Sequence, residues 1–311
     1  MKYIASLIPL FFSQVFSEKI NTELVVYSQE EMAAHKQACK TMILEDKNRT
    51  SNPEYQLARA LRTISGTDSD FIPKVPGAGE IIVDETGPYQ LMHNGVKVVA
   101  NCYYDSQWLT DVIYALRGHH EPQEEKCFYE VLKYLPDDIV MIELGAYWSY
   151  YSLWCAHVKK NSKNYLIEPD PKRIEVGRNN FILNGKSGVF KRGYLGCILD
   201  NDPDINGAEL IRLDDFIRAE HIEHIHILHS DIQGGEADML DGLSEHMQDI
   251  DYFFISTHGD DIHQRCLETL YKHNFVILAE HSWAQSCSGD GLIVARRCDV
   301  AGPERIDINF Y

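Results

Sequence analysis

The segment Ile139-Val-Met-Ile-Glu-Leu-Gly-Ala-Tyr-Trp-Ser-Tyr-Tyr-Ser152 decides the fold that we predict for this chain. Its apolar first half is typical of a buried strand, which ends at an acid, Glu143, and is followed by Gly145. From Tyr147 onward the aromatic side chains recur at helical spacing. A buried strand, a glycine turn and a helix are together typical of a nucleotide-type cofactor site at the edge of a parallel sheet.

A second apolar run ends in an acid at Tyr165-Leu-Ile-Glu168-Pro169-Asp170. Because parallel strands end at the same edge of a sheet, Glu143 and Glu168 are expected to share one site. Glu143 is placed to reach an amino group of the ligand, and Glu168 to accept from both ribose hydroxyls. S-adenosylmethionine (SAM) carries both groups, so the pair predicts SAM as the cofactor. The alternative is that the two acids only cap neighbouring helices.

From about residue 121 the chain alternates between strand-like and helix-like segments. This alternation predicts an α/β fold with a doubly wound, mostly parallel, seven-stranded sheet. The last two strands have only a loop between them, which predicts an antiparallel partner at the end of the sheet. The strands are expected at 139–144, 164–167, 188–194, 225–230, 251–257, 274–280 and 291–296.

Residues 1–120 are predicted to form an α+β extension that packs as a cap on a catalytic domain at 121–311. Ser28 and Glu31 have the spacing of a capping box that opens a helix. The tripeptide His93-Asn94-Gly95 lies between two apolar runs and predicts a hairpin, since Asn and Gly both tolerate positive φ. The role of this extension cannot be read from its residues.

Composition and charge restrict the partners and the compartment. A net charge of -18 argues against binding to nucleic-acid phosphates. Eight cysteines with no Cys-x-x-Cys pair favour free thiols in a cytoplasmic protein. No apolar run reaches the roughly 20 residues that span a bilayer, so stable membrane insertion is not expected. The run Ile4–Phe12 is interpreted as an amphipathic helix, with a cleaved signal segment as the alternative.

The residues after Gly145 bear on the choice between SAM and a dinucleotide. NAD sites use Gly-x-Gly-x-x-Gly, so that a pyrophosphate can lie on the start of the helix. Here Tyr147, Trp148 and Ser149 follow, so two glycines are missing and two rings crowd a pyrophosphate. The methionine end of SAM needs less space, and Tyr147 is expected to contact it. Tyr151 is assigned to the core.

Several segments in this order and spacing resemble the FkbM family of SAM-dependent methyltransferases, from about His120 to Arg297. The resemblance implies a seven-stranded class I, Rossmann-like fold and O-methylation, commonly of sugar or polyketide hydroxyls. Ser149 stands where the family often has a third glycine. The segments are Gly118–Glu125, Ile142–Ser152, Leu166–Asp170, Gly177–Phe181, Leu213–Phe216, His229–Glu236 and Gly291–Val294. The cofactor-binding residues predicted are Glu143, Gly145, Ala146, Tyr147, Ser149, Glu168, Pro169, Asp231 and Gln233.

Two residues are candidates for the proton acceptor. Asp231 follows the fourth strand in Asp231-Ile-Gln-Gly-Gly-Glu236, and it is predicted to act as a general base or to orient the methionine end of SAM. Its alternative role is to cap the next helix. His258 ends the fifth strand and is expected beside Asp231, where a neutral imidazole can take a hydroxyl proton. His281 and His120 are weaker candidates.

We therefore predict a SAM-dependent methyltransferase that acts on a hydroxyl of a small molecule or glycan. A nicotinamide-dependent oxidoreductase and a non-catalytic binding module with the same fold are the alternatives. No metal is predicted, because His229, Asp231, His258 and His281 follow no compact ligand spacing. The sequence does not specify the acceptor, the methylated atom or the oligomeric state.

Overall fold

The computed structural model of the protein describes residues 23–45, 54–103, 107–195 and 207–311. The predicted amphipathic or signal-like segment at the N-terminus lies outside these residues. Among the helices that are described, none combines the length and the apolar character required to cross a bilayer.

The described helices and strands alternate through most of the chain. The helices are α1 Gln29–Glu45, α2 Glu54–Ile64, α3 Gln107–Ala115, α4 Pro122–Leu132, α5 Tyr150–Val158, α6 Pro171–Leu183, α7 Leu213–Ala219, α8 Glu236–Asp241 and α9 Asp260–Lys272. The strands are β1 Ile81–Asp84, β2 Gly87–Leu91, β3 Lys97–Val99, β4 Val140–Leu144, β5 Lys163–Glu168, β6 Val189–Tyr194, β7 Glu209–Leu210, β8 Ile225–Ser230, β9 Ile250–Thr257, β10 Phe275–His281 and β11 Gly291–Arg297.

The main sheet has the strand order β10-β11-β9-β8-β4-β5-β6-β7. Its pairs are parallel except those of β11, which runs antiparallel to both β9 and β10. This is the class I methyltransferase arrangement, and the predicted doubly wound fold is confirmed. Two details differ from the prediction. The two-residue strand β7 adds an eighth strand, and β11 lies between β9 and β10 rather than at the end of the sheet.

The antiparallel insertion follows from how the chain reaches its last two strands. Helix α9 carries the chain back across the sheet, so β10 runs in the common direction. A loop alone then returns the chain, and it can only deliver β11 antiparallel. Because β10 is placed one strand further out, β11 fills the gap beside β9.

The order of connections also determines where a ligand can bind. From β4 the chain proceeds through β5 and β6 on one side, whereas β8 pairs with β4 on the other. The register places Glu143 of β4 opposite His229 of β8. A crevice forms at such a switch in strand order, beyond the carboxyl ends of the strands. The candidate site is therefore expected above β4, β5 and β8.

Successive residues of the central strands point to opposite faces and build two core layers. On β9, Phe254 packs in one layer and Phe253 in the other. On β4, Met141 packs in the layer that contains Phe254, and Ile142 packs in the layer that contains Phe253. Both faces are thus apolar and covered, as parallel sheets require.

The extension contains helices and a small antiparallel sheet, β1-β2-β3. The capping box is confirmed, since Ser28 N donates to Glu31 (2.7 Å) and Glu31 N donates to Ser28 Oγ (3.2 Å). The hairpin is also confirmed: β2 pairs with β3, and Gly95 turns the chain at φ 90°. Strand β1 and helix α3 were not predicted.

Helix α6 holds the free edge of this small sheet. Asn180 Oδ1 accepts from Val99 N (2.8 Å), and Asn184 Oδ1 accepts from Lys97 N (2.9 Å). The Asn180 amide also donates to the carbonyl oxygen of Trp148 (2.8 Å). Two side-chain amides thereby satisfy backbone groups of β3 that no neighbouring strand pairs. Asn180, which is fully buried, joins the extension to the turn before α5.

We expect Asn180→Ala to lower the free energy of unfolding by about 3 kcal/mol, because it leaves the part-buried N–H of Val99 and the buried C=O of Trp148 without partners. Denaturant unfolding at equilibrium measures this change. Asn179, exposed on the same helix, provides the control, and Asn179→Ala should be nearly neutral. Equal effects of the two substitutions would contradict the bridging role of Asn180.

Candidate functional site

A cavity of about 470 Å³ opens above β4, β5 and β8, at the edge that the strand order predicts. Its volume is in the range of small-molecule sites. Eight of the nine positions predicted to bind a cofactor line it, and the exception is Ser149. The eight are Glu143, Gly145, Ala146, Tyr147, Glu168, Pro169, Asp231 and Gln233.

Glu143 is buried at the end of β4. Its Oε2 accepts a hydrogen bond from the backbone N of Ser152 (2.9 Å), in the first turn of α5. Burial raises the pKa of this carboxyl, although the nearby charge of His229 acts in the opposite direction. Glu143 therefore holds the helix, as the capping alternative proposed, and also forms part of the cavity wall.

Glu168 ends β5 and is also buried. Its Oε2 accepts from Tyr147 N (3.1 Å), and its Oε1 accepts from Asp170 N (2.9 Å). Burial raises the pKa of Glu168 to about 6, although these two N–H groups favour the ionised form. A carboxylate oxygen has two lone pairs, so each oxygen retains the capacity for one further donor.

The turn between β4 and α5 has three left-handed residues at alternate positions. Gly145, Tyr147 and Ser149 have φ values of 72°, 38° and 63°. Such a backbone explains why glycine suits all three positions, and why tyrosine and serine are strained there. The left-handed conformation is kept at 147 and 149, although neither residue is a glycine.

The glycine at 145 is required by the protein's own backbone. A Cβ at this position would overlap the carbonyl oxygen of Asp231. Ser149 instead lies behind the cavity, where its Oγ approaches Gly177 of α6. Ser149 is fully buried, and its hydroxyl has no hydrogen-bond partner among the described residues.

We expect Ser149→Gly to raise the free energy of unfolding by about 1 kcal/mol. The change relieves the left-handed strain and removes a buried unpaired hydroxyl, and these gains exceed the entropy cost of glycine. Thermal and denaturant unfolding of the two proteins check the sign.

Ser152, three residues later, is the matched control for this substitution. It is also fully buried, but it lies inside α5 with helical geometry. Ser152→Gly should therefore destabilise by about 1 kcal/mol. If both variants lose stability equally, backbone strain at Ser149 is not the determining factor.

Asp231 and His258 meet at the ends of β8 and β9, as predicted. His258 Nε2 lies 3.4 Å from Asp231 Oδ1, and the Gln233 amide donates to the same oxygen (2.8 Å). His258 Nδ1 lies 2.7 Å from Glu236 Oε1. Helix α8 begins after Gly235, which is its N-cap, so the capping alternative for Asp231 is wrong.

The charges around these two residues set their protonation. Burial alone would lower the pKa of His258, but Asp290, Glu236 and Asp231 outweigh it and raise the pKa to about 11. Burial raises the pKa of Asp231 to about 7, with the His258 cation opposing and Asp290 adding to the rise. His258 is thus a cation at neutral pH, whereas Asp231 changes charge near neutrality.

A buried cluster of histidines and acids adjoins the cavity beside α4. His120 contacts Glu121 (3.2 Å) and Glu125 (2.6 Å). Burial disfavours its charge, but these two carboxylates raise the pKa of His120 to about 10. For His119 burial prevails over Glu125, and the pKa falls to about 4. His120 is therefore a cation in the cavity wall.

His281 lies apart from the large cavity, in a neighbouring pocket that has room for about one water molecule. The four residues considered as metal ligands do not form one cluster of three or more within the described chain. The groups whose ligand atoms lie within 4.8 Å of one another are His93, His119 and Glu125, and His224, His226 and Asp251.

Some wall residues were not identified from the sequence. Tyr194 ends β6 and Leu195 follows it, so the strand-end rule that identified Glu168 would have found them. Tyr103 belongs to the extension and stacks on Tyr147 with ring centroids 4.8 Å apart. Neither this stacking nor the position of Glu121 has a signal in the sequence, because each depends on how distant segments pack.

Comparisons with known proteins add little to this geometry. No protein-family model matches the chain, and no curated protein matches it. TrmK of M. capricolum, solved with S-adenosyl-homocysteine, is 14% identical over 58% of this chain and 71% of its own, with a TM-score of 0.38. A precorrin-6y C5,15-methyltransferase of Geobacter metallireducens is 14% identical over 56% and 87%, with a TM-score of 0.40.

A ribosomal protein L11 methylase of Lactobacillus delbrueckii is 11% identical over 58% of this chain and 81% of its own, with a TM-score of 0.37. At these identities and TM-scores the likenesses carry no argument about the cofactor or the reaction. The fold assignment therefore rests on the strand order, and the FkbM resemblance stays a prediction.

Proposed function

We propose that the protein is a SAM-dependent methyltransferase that methylates a hydroxyl oxygen of a small molecule or glycan. One observation supports this most: Glu143 and Glu168 end adjacent strands on either side of the Gly145 turn and line one cavity. This is the arrangement that a ligand with an amine and a ribose diol requires.

The residues present fit SAM. Glu168 has free lone pairs for the ribose hydroxyls, and Glu143 would reach the amino group directly or through water. The walls also carry Glu121 and Asp231, whose charges suit a cationic ligand. When bound, SAM supplies an activated methyl group on a sulfonium.

Of the two candidate proton acceptors, the charges favour Asp231. A protonated His258 cannot accept a proton, whereas its positive charge beside Asp231 orients and stabilises the carboxylate. Asp231, with a pKa raised to about 7, changes charge in the range suited to a general base. The walls of the cavity would hold the acceptor hydroxyl in line with the methyl group, an alignment that accounts for much of the rate in such transfers.

The acceptor class proposed from the FkbM resemblance is a sugar or polyketide hydroxyl. The electrostatics agree with the exclusion of nucleic acid, since four carboxylates line the cavity and the chain has a net charge of -18. Phosphate-bearing acceptors would be repelled by such a surface.

We expect Glu168→Gln to weaken SAM binding about 10- to 100-fold, because the amide loses the charged acceptor for the ribose hydroxyls. Isothermal calorimetry with SAM, and separately with NAD, measures this in the intact chain. Glu175, exposed on α6, is the control, and Glu175→Gln should bind SAM as the unmodified chain does. Tight NAD binding without any response to SAM would favour the oxidoreductase alternative.

The reaction should depend on pH through Asp231. Because the carboxylate is the active form, the rate should rise about tenfold per pH unit below pH 7 and level off above it. Formation of S-adenosyl-homocysteine from SAM, with a panel of sugars, polyols and metabolites, measures the rate. Asp231→Asn should abolish it.

One result would support the binding-module alternative instead. In that case the unmodified chain binds SAM, yet no acceptor in the panel produces S-adenosyl-homocysteine. A measured rate that is unchanged by Asp231→Asn would exclude Asp231 as the proton acceptor and leave the methyltransferase assignment intact.

A further inference from the structure

Helix α2 of the extension delivers one arginine to the rim of the candidate site. Arg59 Nη2 donates to Asp290 Oδ2 (2.9 Å), and its Nε donates to the carbonyl oxygen of Ser288. The guanidinium also lies over the Trp108 ring, 5.5 Å from its centroid. Only 24% of the Arg59 side chain is exposed, so three contacts hold the group in one place.

Arg59 begins a row of alternating charges that reaches the cavity. Asp290 Oδ1 lies 3.4 Å from His258 Nε2, and the same nitrogen lies 3.4 Å from Asp231 Oδ1. The order is therefore Arg59, Asp290, His258 and Asp231, with signs plus, minus, plus and minus. Glu236 holds the other ring nitrogen of His258, which fixes the ring.

Because the two distances are equal, Asp290 and Asp231 compete for the N–H at His258 Nε2. His258 Nε2 lies 3.0 Å from the Gln233 amide nitrogen as well, and its single N–H cannot point at both carboxylates, so the more strongly negative one attracts it. Arg59 neutralises Asp290 from its other side through a charge-assisted hydrogen bond. With Asp290 neutralised, the imidazolium is available to Asp231.

We propose that Arg59 is a positioning residue. It neutralises Asp290, so that the His258 cation is available to Asp231 in the cavity. The catalytic role of Arg59 rests on the proposed function. The effect of Arg59 on the pKa of Asp231 does not depend on that function. The extension would then contribute to the chemistry of the site as well as cover it.

The effect of Arg59 on the pKa of Asp231 has a defined sign. If Arg59 loses its charge, the Asp290 carboxylate loses its cationic partner, so it attracts His258 more strongly and repels the ionised form of Asp231. Both effects raise the pKa of Asp231. The other charged groups around Asp231 stay in place, so the direction of the change is set by Arg59 alone. These groups are His258, Asp290, His229, Glu121 and Glu124, while Glu236 acts through His258.

The test is the titration of Asp231 in the full chain, by carbon-13 NMR of labelled aspartate carboxyls. The signal is assigned as the one missing from Asp231→Asn. We expect Arg59→Gln to raise the pKa of Asp231 by about 0.5 to 1 unit, less than the shift from a direct contact. Arg59→Lys keeps the charge, so the pKa of Asp231 in this variant should stay close to that of the unmodified chain.

Arg62 on the same helix is the matched control. Its Nη2 donates to the carbonyl oxygens of Ala284 (2.8 Å) and Tyr311 (3.3 Å), away from the row. Arg62→Gln should leave the pKa of Asp231 unchanged. A shift of equal size in Arg62→Gln, or none in Arg59→Gln, would overturn the proposal.

Asp290→Asn keeps the proposal testable if Arg59→Gln does not fold. Removing this acid should lower the pKa of Asp231, and a pKa that stays unchanged or rises would contradict the row. Where the double variant folds, Arg59→Gln should have no further effect in that background. A persisting effect of Arg59 without Asp290 would mean that it acts by another route, which contradicts the row. Calorimetry with S-adenosyl-homocysteine on the unmodified chain tests the proposed function separately, because its failure would not alter the NMR result.

Discussion

The contact between Gly145 and the carbonyl of Asp231 is the constraint on which the site depends. Beyond the ends of the strands, Gly145 N and Ala146 N donate to Ile167 O (2.9 and 3.0 Å), and Asp231 N donates to Leu144 O (3.0 Å). These bonds draw the loops after β4, β5 and β8 together so closely that no Cβ fits at 145. As a result Glu143, Glu168 and Asp231 face one cavity, although they come from three separate segments.

The site concentrates carboxylates where water is scarce, and this determines its chemistry. Burial raises the pKa values of Glu143, Glu168 and Asp231, so each ionised form is costly before a ligand arrives. A cation near these groups offsets that cost. His120 supplies one such cation in the cavity wall, and His258 supplies another beside Asp231. The same charges make His258 a partner of Asp231 rather than a proton acceptor.

Much of the fold could be predicted because its signals are local. Continuous apolar runs located the central strands, and Asn94-Gly95 marked the hairpin. Strand β1 was missed because three of its four residues are exposed, so it lacks alternation. Helix α3 was missed because seven of its nine residues are buried, polar Thr110 and Asp111 among them, so burial there does not follow the polarity of the sequence. Strand β7 consists of only two residues, both exposed, and it forms because β6 offers an edge.

The sequence by itself determined the class of fold, the turn at Gly145 and the residues at the strand ends that line the cavity, since each depends on neighbours along the chain. Only the tertiary structure decided the charge of His258, the burial of Ser149 behind the cavity, the contact of Arg59 with Asp290 and the position of Tyr103 in the cavity wall. The reason is physical: a protonation state or a bridging contact depends on the distance between groups far apart in the chain, and packing alone sets that distance. The periodicity of apolar residues indicates which face of a helix or strand is buried. It carries no information about which distant charged group lies against that face.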